Sequence, residues 1–309
     1  MSLTNNGNNW GIDALVAELR DLRLQSLQSR QRLEHPPKLP SRKVLKQIVD
    51  NLAAVLFPNR LGLPDINDEG IDYFVGHTLD SNLRQLNHQI GLELQFIAKQ
   101  QGLEQDTHLQ SAQITRDFAA LLPRIRILID SDIQAAYEGD PAATSSDEVL
   151  ICYPGIYAVL HHRIAHQLYR LGAPLVARVI AEIAHSATGI DIHPGAQIAD
   201  SFFIDHGTGV VIGETAVIGR HVRLYQAVTL GAKRFAKDEN GVLVKGNARH
   251  PIVEDDVVVY AGATILGRIT IGHGSTIGGN VWLTHSVPPG SHVSQAQVRS
   301  EFFEGGAGI

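Results

Sequence analysis

The chain is short of several things, and each shortage excludes something. It holds one cysteine, Cys152, in 309 residues. No internal disulfide can form, and that usage fits a reducing compartment. No apolar run approaches the ~20 residues that a membrane-spanning helix needs. The opening stretch, MSLTNNGNNW, lacks the charged and apolar regions of a secretory leader. A cytoplasmic location is therefore expected, with no membrane association. A basic excess is missing too. Lys and Arg number 26 against 32 Asp and Glu, for a net charge of −6 with His neutral, which argues against a general nucleic-acid binder. What remains is an ordinary soluble composition, 44% hydrophobic and 19% charged, on a chain long enough for two domains.

The stretch from Ile192 to Pro288 carries a period of six. Val253, Val259, Ile265, Ile271, Ile277 and Leu283 are all aliphatic. Four places after each stand Val257, Ala263, Ile269, Ser275, Val281 and Val287, all small or aliphatic. The same register runs through Ile192, Ile198 and Ile204, slips by two residues, and resumes at Ile212, Ile218, Leu224 and Leu230. Gly directly follows Ile212, Ile218, Leu230, Ile271 and Ile277. Six fits neither the 3.6 of a helix nor the two of a plain strand. It is the signature of a parallel β-helix, in which short strands meet at tight corners and aliphatic residues stack inside a prism.

Ahead of the repeat the pattern is helical. Ile12 to Leu33 has helical spacing, and Pro36, Pro37 and Pro40 break it. Ser41 offers an N-cap for a helix to about Phe57. Pro58 to Gly70 reads as a loop, and Ile71–Gln101 and Gln110–Tyr137 as long helices. Gly139-Asp140-Pro141 ends that run. Pro154 opens a helix over about 156–171, and a further one covers roughly 174–186. The expected organisation is thus an α+β protein: a helical domain over 1–188, a β-helix over 189–290 and a flexible tail over 291–309.

His162 and His166 are four apart and share a helix face, but no third metal ligand stands near them, and packing of satisfied imidazoles is the reading taken. Cys152, between Ile151 and Tyr153, reads as a small buried hydrophobe. Chemistry is expected where the repeat is interrupted. Asp191 opens it, and Asp205-His206 follows fifteen residues later. With strands ~4.8 Å apart, Asp191 and His206 can meet, and a His backed by a carboxylate is a general base of fixed tautomer. The alternative is a pair of solvated corner residues. Residues 231–250 break the hexad completely and form a loop carrying Lys233, Arg234, Lys237, Lys245 and Arg249, suited to anionic groups.

In order and spacing, DIHPGAQI, IDHGTGVVIGETAVIG, AVTLG, ARHP, AGATILGRITIG and SVPPGS resemble the serine O-acetyltransferases of the hexapeptide-repeat family in their long N-terminal form. The segments DIQAAYEGDPA and YPGIYAVLHHRIAHQLYRLGAPLVAR are similar to it too. The resemblance implies a left-handed β-helix, a homotrimer or dimer of trimers with sites between prisms, and transfer of acetyl from acetyl-CoA to L-serine without a metal. It implies His206 as catalytic base and Asp191 as its orienting carboxylate. Asp140 and Asp205 would hold the amino and hydroxyl end of serine, and Arg249 and His250 its carboxylate. Coenzyme A would run past Gly231, Ala261, Gly262 and Gly279. L-Cysteine would act as feedback inhibitor in the same pocket. The tail ending in Ile309 resembles the anchor that enters O-acetylserine sulfhydrylase. TLGA at Thr229–Ala232 departs from the family's frequent TLGG, a difference that falls on the coenzyme side.

Other readings remain at this point: an acyltransferase for homoserine or an amino sugar, a γ-type carbonic anhydrase with zinc on three prism histidines, or an inactive scaffold. The DIHP, Asp205-His206 and Arg249-His250 set favours a small α-amino acid. His193, His206, His221, His250, His273 and His285 show no pair at the anhydrase spacing.

Overall fold

The structure, a computed structural model, describes residues 10–29, 38–65, 67–103, 106–234, 239, 241–244 and 246–295. Eight helices come first among these: α1 Ile12–Ser29, α2 Arg42–Leu56, α3 Pro58–Leu61, α4 Asp68–Gln101, α5 Thr107–Gly139, α6 Ser146–Cys152, α7 Pro154–Arg170 and α8 Pro174–Thr188. Their limits follow local chemistry. Ser41 caps α2 by accepting from the Val44 amide, and Asn67 caps α4 by accepting from that of Gly70. In α2 the apolar spacing buries Leu45, Ile48, Val49, Leu52 and Leu56 in the helical core. The stretch expected as a loop after Phe57 contains the short α3, because Pro58 suits a first helical position. No residue of α1 is buried.

The helical layer is fastened to the next by a buried ion pair. Arg163 of α7 reaches Asp132 of α5 through Nε at 3.0 Å and an Nη at 2.9 Å. The same guanidinium donates to the carbonyls of Ile198 and Ala199, and Asp132 accepts from the Phe202 amide at 2.8 Å. At the start of α7, Gly155 lies so close to the Ile204 carbonyl that a Cβ there would sit 2.2 Å from its oxygen. Only glycine permits that approach.

Fourteen short strands follow: β1 Asp191–Ile192, β2 Gln197–Ile198, β3 Phe203–Ile204, β4 Val211–Ile212, β5 Val217–Ile218, β6 Arg223–Leu224, β7 Thr229–Gly231, β8 Ile252–Val253, β9 Val258–Val259, β10 Thr264–Leu266, β11 Thr270–Ile271, β12 Thr276–Ile277, β13 Trp282–Leu283 and β14 His292–Val293. They form three parallel sheets, β1-β4-β7-β10-β13, β11-β8-β5-β2 and β14-β12-β9-β6-β3. These are the three faces of a left-handed prism. Ile192, Ile212, Leu230, Ile265 and Leu283 stack inside the first face, as the hexad reading expects, and all are buried. The strands run on to Val293, past Pro288, where the aliphatic row ceases to be legible.

Three edges join the faces. The first edge carries residues 193–196 and 213–216 and the long excursion 232–251. The third edge carries 225–228, 260–263 and 278–281, four residues each. Its first corner, 205–210, has six. The two-residue slip of the sequence is this bulge, and His206 stands on it.

Candidate active site

The bulge sets the position of His206. The residue adopts the left-handed region at φ 59°, with Gly207 at 84° and Gly209 at 80°. Its side chain is 72% exposed. Ser201, His221, Ala227, Asp256 and Asn280 adopt the same left-handed conformation at other corners of the prism, so it belongs to the turning of the coil. The Asp191 amide donates to the Val210 carbonyl at 2.9 Å, so Asp191 flanks the bulge. The carboxylate nearest to His206 is nevertheless that of Asp205, whose Oδ1 is 3.9 Å from Nε2. Asp191 groups instead with Glu182 and His185 at the end of α8, their ligand atoms all within 4.8 Å of one another. Among the described residues this is the one such group that has the composition of a metal site, and it is not a trio of prism histidines.

Asp140 reaches the bulge from the helical side. It ends α5, its Oδ2 accepts from the Tyr153 hydroxyl at 2.6 Å, and its Oδ1 accepts from the Ala142 amide at 2.8 Å. The Tyr153 bond, then the amide, then the positive fields of His206 and Arg223, hold this carboxyl below the usual range. Tyr153 is pushed up to about 12, first by that bond, and stays a donor. Asp140, Tyr153, Asp205, His206 and Arg223 thus share one anionic corner suited to an ammonium group.

Arg249 and His250 stand elsewhere. They close the excursion on the first edge, where Arg249 pairs with Glu214 at 2.7 Å and Glu214 also accepts from Tyr169 at 3.1 Å. The His250 ring is seated on Gly213, where a Cβ would lie 2.0 Å from the imidazole. Burial pushes His250 down to about 4, and Arg249 adds to the effect. One protomer therefore does not bring Arg249-His250 and Asp205-His206 together, since they lie on different edges. Ala261 and Gly262, two coils further along, and Gly279, three coils further along, share the third edge with His206, whereas Gly231 stands across the first face at the root of the excursion. Lys233 and Arg234 are exposed. Lys237, Lys245 and Ile309 lie outside the described residues.

No family model matches the chain. A protein of Synechococcus elongatus named serine acetyltransferase, plasmid, is 57% identical over 304 residues, across 97% of this chain and 95% of its own length. The chain belongs to the serine acetyltransferase family. A Mycobacterium tuberculosis serine acetyltransferase is 51% identical over 162 residues, across 52% of this chain and 67% of its own. Among solved structures, serine acetyltransferase isoform 3 of Entamoeba histolytica in complex with cysteine has a TM-score of 0.70 at 35% identity, over 87% of each chain. The soybean serine acetyltransferase complexed with serine has a TM-score of 0.52 at 30% identity, over 81% of this chain and 95% of its own.

In this serine acetyltransferase two sequence readings need correction. Cys152 is exposed at the end of α6, not buried. The helix-α7 histidines are not all satisfied: His166 Nδ1 bonds the Pro194 carbonyl at 2.8 Å, but His161 Nε2 and His162 Nδ1 are buried without a partner among the described residues. Sequence reasoning also passed over Tyr153, Arg223, Glu214 and Thr215. The last two lie inside the GETAV segment that carried the resemblance, and Tyr153 stands just before the helix-opening Pro154.

Proposed function

We propose that this serine acetyltransferase moves the acetyl group of acetyl-CoA directly onto the hydroxyl of L-serine, giving O-acetyl-L-serine and free coenzyme A. The observation that carries the reading is the bulge at 205–210, which presents an exposed imidazole beside two carboxylates, Asp205 and Asp140. Serine's hydroxyl is a poor nucleophile at neutral pH and needs a base that titrates near it. His206 takes the hydroxyl proton as the oxygen attacks the thioester carbonyl. The tetrahedral intermediate collapses with loss of the thiolate, and the imidazolium returns its proton to that sulfur. Asp191, beside the bulge, orients the ring and balances its positive charge. Asp140 and Asp205 receive the ammonium group and guide the hydroxyl. No cysteine stands in these motifs to form an acyl-enzyme.

Arg249 and His250 bind the serine carboxylate, Arg with two donors. Their place on a different edge from His206 supports a site completed by a neighbouring prism in a homotrimer, or in a dimer of trimers. Coenzyme A follows the third edge past Ala261, Gly262 and Gly279, with Gly231 and the cations of the excursion at its far side. L-Cysteine differs from serine by one atom and fits the same anchors, which agrees with the cysteine-bound relative. A lone cysteine and no helix long and apolar enough to cross a membrane among the described residues support a cytoplasmic place.

Thiol release from acetyl-CoA, measured with L-serine, L-homoserine and a panel of amino sugars, tests the acceptor. Serine is expected to give the highest kcat/KM, and a better homoserine or sugar overturns the assignment. The tail ending in Ile309 is proposed to dock in O-acetylserine sulfhydrylase, its carboxylate captured as that enzyme's amino-acid substrate would be. Deleting Ile309 should abolish co-elution with the sulfhydrylase and leave acetyl transfer unchanged.

A further inference from the structure

Thr215 sits one coil from His250 on the first edge, meeting it three times and its neighbour Arg249 once. Its Oγ1 accepts from the backbone amides of Arg249 at 2.9 Å and His250 at 3.2 Å. The same oxygen is 2.9 Å from His250 Nδ1, and the Thr215 amide donates to Nδ1 at 3.0 Å. A hydroxyl has two lone pairs and one hydrogen. With both lone pairs taken by amides, its hydrogen points at Nδ1. Nδ1 then receives two donors and carries no hydrogen itself, so the ring proton is on Nε2. Among the described residues Nε2 has no hydrogen-bond partner. Arg268, from the next coil, closes the arrangement by donating to the carbonyls of Thr215 at 2.7 Å and His250 at 3.0 Å. The ring lies against Gly213, where a Cβ would collide with it.

We propose that Thr215 is a positioning residue for the amino-acid acceptor, fixing His250 as an Nε2–H donor aimed at one oxygen of the substrate carboxylate while Arg249 takes the charge. The inference rests on the reading of Arg249 and His250 as the carboxylate anchors and adds what makes the second of them a donor. Without the hydroxyl, Nδ1 keeps one donor, the two amides lose their acceptor, and the ring is free to rotate. A fixed tautomer is the usual service of a group bound to the far nitrogen of a working imidazole.

The test uses the full-length protein with Thr215→Val and Thr215→Ser. Thr215→Val should raise the KM for L-serine about tenfold, as expected for losing a buried hydrogen bond, with the KM for acetyl-CoA unchanged. Thr215→Ser should restore the serine value to within about twofold. An unchanged serine KM in a folded Thr215→Val protein, an equal rise for both substrates, or failure of the serine variant to rescue overturns the proposal. Independently of any folding defect, imidazole ¹⁵N spectra of the unaltered protein, with His250→Gln to assign the resonance, should show a protonated Nε2 and a bare Nδ1. The opposite tautomer refutes the proposal. Arg249→Ala separates the two levels. If it leaves the serine KM unchanged, the anchor reading itself fails. If it raises that KM while Thr215→Val does not, only the role of Thr215 fails.

Discussion

Tyr153 donates its phenolic hydrogen to Asp140 across 2.6 Å, joining the residue just before α7 to the residue just after α5. Two helices from the first layer are thereby pinned at the place where the prism presents His206. The bond fixes which way the carboxylate faces as well as lowering its pKa.

Tyr153→Phe should therefore raise the KM for serine roughly fivefold, about 1 kcal/mol for one hydrogen bond, and leave that for acetyl-CoA alone. Asp140 is ionised at neutral pH with or without Tyr153, and Tyr153, at about 12, remains a donor. The defect should accordingly be the same at pH 7 and pH 9. Initial rates at the two values check this, and a defect confined to one of them contradicts it.

His206→Ala should reduce kcat by roughly 10²–10⁴, the usual worth of a positioned base. Its side chain is 72% exposed, so the fold should survive. Circular dichroism and a melting curve alongside the rate settle whether lost activity means lost chemistry. Near-normal turnover would remove His206 from the role.

Acid should destabilise this protein through its histidines. Burial pushes His161, His193 and His250 to about 4, and His162 well below its ordinary value. Unfolded, they titrate near 6.5. Between those values the unfolded chain binds more protons than the folded one, so stability falls as pH drops. The contribution is complete above about pH 6.5 and is lost progressively towards pH 4. Urea midpoints at pH 7.5 and pH 5 should differ clearly, with the lower at pH 5.

Arg163→Met should lower stability by about 3–5 kcal/mol, because it strands the buried Asp132 carboxylate. Burial already pushes Asp132 up despite its partner. Urea unfolding of the variant at pH 7.5 measures this. A change below about 1 kcal/mol would mean that the pair does not hold α5, α7 and the first coil together.

The prism was legible because its physics is one-dimensional. A side chain that must stack on its equivalent one coil away, as Val253, Ile271 and Val217's neighbour Ile218 do, leaves a period that can be counted. Ser41 and Asn67 were local signals of the same kind for helices. The site was legible only in part. The slip between Ile204 and Ile212 is visible in sequence, and it turned out to be the bulge that displays His206. Which carboxylate lies nearest that ring was not visible, because the spacing that brings Asp191 one coil below His206 does not say whether its side chain turns to that ring or to Glu182 and His185. Tyr153 and Thr215 were missed for a related reason. Each acts on a residue brought near by packing, Asp140 thirteen places away and His250 thirty-five, and no short motif spans such gaps. Cys152 was misread because flanking apolar residues do not guarantee burial at the last turn of a helix.

The excursion at 232–251 has a consequence for how freely this chain can change length. In a coil without an insertion, residues that meet are 18 apart, as Arg268 and His250 are, and the bulge lengthens this to 20 between Asp191 and Val211. Across the excursion the separation is 35 for Arg220 and Asp255. Chain closure grows only with the logarithm of loop length, about 0.6 kcal/mol for each doubling. Both roots of the excursion are held without it: Gly231 is registered against Leu266, and Ile252 against Val217. Residues can thus be gained or lost between these roots at little thermodynamic cost, while Glu214 and Thr215 keep Arg249 and His250 where the prism needs them.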